Sequence, residues 1–307
     1  MEQLNKKIKK IFTVVSHDAG GAEVLSSYIK NKKLNCLYVL KGPAKKIFEK
    51  KIGKIKIVSI TDALKASTNL ICSTSYNSDI EFNALKKSKK NNIFSSVIFD
   101  HWHSYKERLT RKTKTILPDE ILTVDKYAKE IAQKKFPKTK IKQIKNYHFE
   151  EIKKDFMQII TKKSYSNNKN ILLLCDPVEE AAIKVYNDKN FFGYNEKTAI
   201  KYFLNNINYL NFKYENIIFR LHPSENTNRY RWALKYNNKI KFSNNYSLLR
   251  DIANSNLVIG FDTMGLVISL ILGKKTISCI PPGGKKMSLP FSEIIDFKSL
   301  VINQRFL

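Results

Sequence analysis

The sequence predicts an α/β protein built as two Rossmann-like, doubly wound domains with an interdomain cleft. Three observations predict it. Short apolar runs rich in Val, Ile and Leu alternate with helical stretches, the pattern of parallel strands covered on both faces. The alternation lapses in the polar stretch Ser164-Tyr165-Ser166-Asn167-Asn168-Lys169 and restarts at Asn170. A chain of 307 residues suits two cores better than one, which places the domains at 1–150 and 151–307.

In order, a first strand at Ile11–Ser16 runs into His17, Asp18, Ala19, Gly20 and Gly21, then a helix over 22–30. Strand, glycine turn and helix open a doubly wound domain. Gly20 and Gly21 let the backbone approach a ligand at a helix N-terminus. The turn is not a GxGxxG fingerprint, so a dinucleotide is unsupported. Further strands are expected at 36–40, 55–60, 69–73, 96–99 and 120–124, with helices at 44–51 and 79–90. The strand at 96–99 ends in Asp100, His101, Trp102, His103, Ser104 and Tyr105. Such groups can stack on and hydrogen-bond a sugar-like acceptor; a surface cluster without a role is the alternative. Residues 128–151 read as helix and linker, with the Lys-rich segment 134–145 covering the outside.

The second half opens with a strand at 170–175, then Asp176-Pro177, a long loop carrying Gly193-Tyr194-Asn195-Glu196, and a helix over 197–210. Next comes the run Ile217, Ile218, Phe219, ending in Arg220, His222, Pro223, Ser224 and Glu225. Pro223 lacks an N–H and disfavours a helical His222, so the strand must stop there. A guanidinium, an imidazole and a hydroxyl thus gather at the carboxyl end of a parallel strand, where open α/β sheets bind ligands. A charged loop that merely ends a strand is the competing reading. A strand at 239–242, a helix at 247–253 and a strand at Leu257–Gly260 follow. Phe261-Asp262-Thr263-Met264-Gly265 then opens a helix through Leu272. Its free first-turn amides make an anion site, with the Thr263 hydroxyl as an added donor. Asp262 and Thr263 are also good N-cap residues, and capping is compatible with anion binding. A final strand over 275–280 precedes Pro281-Pro282-Gly283-Gly284. Four of the five histidines (17, 101, 103 and 222) stand at expected strand ends.

Composition narrows the function. Hydrophobic residues at 43% and aromatics at 11% exclude wholesale disorder. The net charge of +28 invites a nucleic-acid reading, but only seven of the 55 basic residues are Arg. Direct base reading leans on Arg, and Lys with abundant Asn is what AT-rich coding yields unselected. No nucleic acid is therefore expected as partner; anionic membrane or glycan fits the same charge. Cys36, Cys72, Cys175 and Cys279 sit apart in apolar runs, as reduced core thiols of a cytosolic protein do. The basic start has too short an apolar run for a signal peptide, and Asp262 and Thr263 interrupt the longest apolar region. The expected location is cytoplasmic, at most peripheral on the inner membrane. No Asp-x-Asp and no His/Cys cluster with ligand spacing occurs, so neither metal nor cofactor is expected.

The HP dipeptide at a strand end, followed by a helix-start turn in a second α/β half, resembles the GT-B glycosyltransferases. The closest resemblance is to metal-independent bacterial sialyltransferases and to capsule and lipopolysaccharide transferases. The resemblance implies that His222-Pro223 contacts the phosphate of a CMP-sugar, and that Thr263 stands at the hydroxyl position that helps hold it. Asp262-Thr263 departs from the Ser-Ser or Ser-Thr of that family. The remaining donor-binding residues implied are Arg220, Ser224, Asp262, Met264 and Gly265. On the acceptor side, it implies an acidic base, Asp18 by position with Asp100 second, among His17, Gly20, Gly21, His101, Trp102 and His103. The reaction implied is inverting transfer of a sugar, sialic acid-like, from a nucleotide-sugar to a bacterial surface glycan. Competing readings are a nucleotide-sugar epimerase or hydrolase, a polyol-phosphate transferase on the same frame, and, least favoured, a basic nucleic-acid binder.

Overall fold

A computed structural model describes residues 10–76, 78–162, 169–244 and 247–305. The basic start and the polar stretch at 164–168 lie outside the described residues. The chain divides into two compact units, Met1–Glu150 and Glu151–Leu307.

The first unit holds β1 (Ile11–Ser16), β2 (Asn35–Leu40), β3 (Asn69–Cys72) and β4 (Phe94–Phe99), then a small hairpin, β5 (Thr110–Arg111) with β6 (Lys114–Thr115). β7 (Glu120–Thr123) and β8 (Lys140–Gln143) complete its sheet. The order is β2-β1-β3-β4-β7-β8, and every pairing in the sheet is parallel. Both faces are covered, so the central strands are apolar throughout. Val15, Cys72, Val97 and Phe99 pack on one side; Val14, Ile71, Ile98 and Leu122 pack on the other. Winding reverses between β1 and β3, which makes the crevice at their carboxyl ends the topological switch point.

The second unit holds β9 (Asn170–Leu174), β10 (Asn216–Arg220), β11 (Ile240–Phe242), β12 (Leu257–Gly260), β13 (Lys275–Ser278) and β14 (Ile295–Asp296). Its order is β11-β10-β9-β12-β13-β14, all parallel. Counted along the chain that is 3-2-1-4-5-6, the Rossmann order, with its switch point between β9 and β12. Ile171, Leu173, Phe219 and Ile259 face one core; Leu172, Leu174, Ile218 and Val258 face the other.

Four expectations need correction. The strand expected at 55–60 is one bridge, Ile57 to Tyr38, followed by a helix at Ile60–Ala66. The Ser59 hydroxyl accepts the Asp62 N–H at 3.1 Å and turns the backbone into that helix. The Lys-rich segment 134–145 is not an outer covering throughout, because it contains β8. Only Ile141 of that edge strand is partly buried, so no apolar run announced it. The long loop after Asp176 contains a helix, Val178–Tyr186. Finally, β13 is not last: β14 and a helix, Phe297–Arg305, follow the Pro-Gly turn. The four cysteines are free thiols; Cys36 is only partly buried. No described helix is long and apolar enough to cross a membrane.

Candidate functional site

At the first unit's switch point, β1 ends in His17 and the helix Ala19–Lys32 starts from Asp18. Asp18 occupies the N-cap position with extended backbone, but its carboxylate caps nothing. Its oxygens instead meet His17 Nδ1 at 2.7 Å and accept the Tyr76 N–H at 2.9 Å. The His17 ring lies over Gly42, where φ is +53° and a Cβ would stand 2.6 Å from Nε2. A side chain at that position would have to displace the ring. The His17 N–H donates to the buried Glu81 carboxylate at 2.8 Å, which also accepts the Ser75 hydroxyl at 2.6 Å. Burial pushes the Glu81 carboxyl above its ordinary range, against the Ser75 bond that would lower it.

From β4, Asp100 points back into the same crevice. It is 4% exposed, and a Cβ on Gly20 would lie 2.6 Å from its Oδ2. Gly20 therefore admits this carboxylate beside the first turn of the helix. His101 Nε2 is 3.1 Å from Oδ2, and Arg108 is 3.9 Å from Oδ1. Burial alone would raise Asp100; the charge and hydrogen bond of His101, with Arg108, outweigh it and hold the carboxyl below its usual value. Gly21 has a tighter reason to lack a side chain, since a Cβ would meet that of Ser73 at 2.6 Å. His101 and His103 are tilted rings 5.5 Å apart, and His103 is exposed. Trp102 is different: it is 3% exposed and its indole donates to Asp125 at 2.8 Å. Asp125 also caps the helix Lys126–Lys135, so Trp102 braces the loop from inside.

In the second unit, the HPSE segment closes on itself. The Glu225 N–H donates to the His222 carbonyl at 2.9 Å, and the His222 N–H donates to the Glu225 carboxylate at 3.3 Å. Glu225 is anchored by the Tyr230 hydroxyl at 2.6 Å. The Ser224 N–H donates to His222 Nδ1 at 3.2 Å, so in the neutral ring the proton sits on Nε2. Nε2–H is then the donor this exposed imidazole offers to a ligand. Arg220 is engaged elsewhere, with Asp251 at 2.5 Å, where the Ser243 hydroxyl also donates.

At the switch point itself stands Asp176, two residues beyond the end of β9. The Thr263 hydroxyl is near enough to favour the ionised carboxylate, and His222, Glu225 and Asp262 act on it electrostatically. Burial is the largest influence and pushes Asp176 up to about 6. Thr263 is the N-cap of the helix Met264–Ile271, with no side-chain cap bond of its own. The first-turn amides of Met264 and Gly265 consequently keep the free donors that helix geometry leaves them. Asp262 accepts the Ser288 N–H at 2.8 Å through one oxygen, while its other oxygen is buried without a partner. Gly265 serves packing, since a Cβ there would lie 2.6 Å from Leu174 Cδ1.

Each unit thus gathers the expected residues at its own switch point, except that Trp102, Arg220 and Gly265 are engaged in holding structure. Sequence reasoning passed over Asp176, Glu81 and Arg108. Asp176 carried the same signal as His222, a polar residue at a strand's carboxyl end. Glu81 and Arg108 carried none, because only folding brings them to the crevice. Among the described residues no group of three or more His, Cys, Asp or Glu is placed to hold a metal ion.

Among solved structures, a glycosyltransferase from Rickettsia africae ESF-5 aligns over 88% of this chain and 79% of its own, at 13% identity and a TM-score of 0.53. The glycotransferase of kitacinnamycin aligns over 96% of this chain and 84% of its own, at 9% identity and a TM-score of 0.53. At such identities the likeness is one of fold, α/β units each built on a parallel sheet. No family model matches the chain, and no curated protein matches it in sequence.

Proposed function

We propose that this protein is a cytoplasmic glycosyltransferase that moves a sugar from a nucleotide-sugar to a bacterial surface glycan, inverting and without a metal ion. A CMP-linked, sialic acid-like sugar is the donor that the HP resemblance favours. One observation carries the reading: His222, Thr263 and an uncapped helix start converge on Asp176 at a Rossmann switch point. The fold shared with glycosyltransferases supports it.

In this reading the second unit holds the donor phosphate. His222 Nε2–H and the amides of Met264 and Gly265 stabilise the charge that develops as the glycosyl–oxygen bond breaks and its electron pair leaves with the phosphate. Asp176 would repel that phosphate if ionised. Its raised carboxyl lets the site take up a proton with the anion instead. The acceptor hydroxyl attacks the anomeric carbon and gives its proton to the first unit. Asp18 is the base expected by position, but both its oxygens are already engaged, by His17 Nδ1 and by the Tyr76 N–H. The imidazoles of His101 and His103 are the alternative, since histidine is the side chain most often used for general acid–base work.

The test is turnover of CMP-, CDP-, UDP- and GDP-sugars with glycan acceptors, in parallel with thermal shift by the bare nucleotides. A nucleotide that binds only the folded state raises Tm. Hydrolysis that proceeds at the same rate with and without acceptor would favour the hydrolase reading instead.

A further inference from the structure

We propose that the outer end of the helix Val178–Tyr186 is a docking element for an anionic lipid surface. The helix leaves β9 through Pro177, and its inward stripe is Val178, Ala182 and Val185, spaced i, i+4 and i+7. Val178 and Ala182 are buried as that stripe requires, yet Val185 is 61% exposed. The helix has outrun the core it packs on. Ile183 and Tyr186, three residues apart on the neighbouring flank, are 48% and 45% exposed. No other stretch of four described residues holds three exposed large apolar side chains. The Tyr186 ring stacks on Phe191 with centroids 3.4 Å apart, and Lys285 Nζ lies 3.0 Å over Phe191.

Charge chooses the occupant. The acids of the helix are engaged at its inner end, Glu180 with Arg229 and Glu179 with Asn195. Beside the outer end, Lys184 and Lys189 in the chain and Lys285 over Phe191 outnumber one acid, Asp188, whose carboxylate accepts the Asn190 N–H at 2.9 Å. Aliphatic and aromatic side chains with an excess of lysine beside them suit the interface of an anionic bilayer: rings settle at headgroup level and ammonium groups reach lipid phosphates. A second copy of the chain fits poorly, because the same lysines would meet across the contact on a chain of net charge +28. The inference is independent of the sugar-transfer reading, because none of these side chains takes part in the chemistry proposed above.

The test is co-sedimentation of the full chain with vesicles of phosphatidylcholine, with and without phosphatidylglycerol, at low and physiological salt. The wild-type chain should bind the anionic vesicles and bind neutral ones weakly. Ile183→Ser with Val185→Ser should lower the partition coefficient about tenfold while leaving Tm nearly unchanged, because both side chains are exposed. Val185→Lys should also weaken binding despite its added charge. Lys184→Glu with Lys189→Glu should weaken it and flatten its salt dependence. Three outcomes would overturn the proposal. One is serine variants that partition like wild type, since some other basic surface would then be responsible. Another is a Val185→Lys variant that binds more tightly, which would leave charge alone as the cause. The third is a wild-type dimer in light scattering that the serine variants convert to monomer, which would make a second copy the occupant.

Discussion

His222 carries two separable properties, a fixed tautomer and an exposed position, and substitutions can take them apart. His222→Ala removes the donor to the leaving phosphate and should lower kcat about 10²–10³-fold, the usual cost of one such donor. Ser224→Ala leaves the ring and the Ser224 N–H in place and should cost far less. On the first unit, loss of the true base should cost about two to four orders of magnitude in rate with nucleotide affinity nearly intact. Asp18→Ala, His101→Ala and His103→Ala, each measured for transfer rate and nucleotide affinity, identify which residue it is. Asp176 gives a pH signature. Its folded-state value, about 6, lies above the unfolded value near 3.9, so the native state holds the extra proton between them. This group's contribution to stability therefore falls as pH rises from about 4 to 6 and stays low above that. Asp176→Asn should raise Tm relative to wild type at pH 8, with the difference vanishing near pH 4. An equal gain at both pH values would mean that Asp176 does not sit with a raised pKa.

Among the elements, the two helix starts differ in what their glycines admit. The start at Ala19 has Gly20 against the Asp100 carboxylate; the start at Met264 has Gly265 against Leu174. Gly265→Ala overpacks a core contact against the flexible end of a leucine, and should cost about 1–3 kcal/mol in urea denaturation with modest loss of activity. Gly20→Ala collides with a buried carboxylate held by His101 and Arg108, which cannot simply rotate away. It should lose activity out of proportion to stability, because the Asp100–His101 arrangement must shift to make room. Equal losses in the two variants would mean that Asp100 does nothing beyond packing.

For the whole molecule, metal independence is the property most easily tested. Turnover should survive EDTA, since the proposed charge stabilisation comes from helix amides and an imidazole rather than from a Lewis acid. Activity lost in chelator and restored by Mg²⁺ or Mn²⁺ would count against that mechanism. The strongly basic surface adds a second expectation, that binding of an anionic acceptor weakens as ionic strength rises.

Much of this was legible in local sequence. Apolar runs closed by Gly, Pro, His or Asp identify strands and the ends where polar groups collect, because strand burial and backbone termination are decided within a few residues. His222, Thr263, Asp18 and the 100–103 cluster are singled out as candidates that way. What local pattern could not carry was set by position in the sheet. β8 forms because an edge strand pairs on one side only, so three polar residues around Ile141 suffice. The strand expected at 55–60 fails because Ser59 offers a helix cap to the same backbone. The two strand orders, 2-1-3-4-5-6 and 3-2-1-4-5-6 along the chain, decide which strand ends become neighbours. Only they bring Glu81 to His17, Arg108 to Thr74, and Asp176 to Thr263. Those pairings join residues tens of positions apart in the chain, and no periodicity in a sequence records such distances. They also set the charge states, because a carboxyl's pKa depends on what surrounds it once folded and not on its neighbours in sequence.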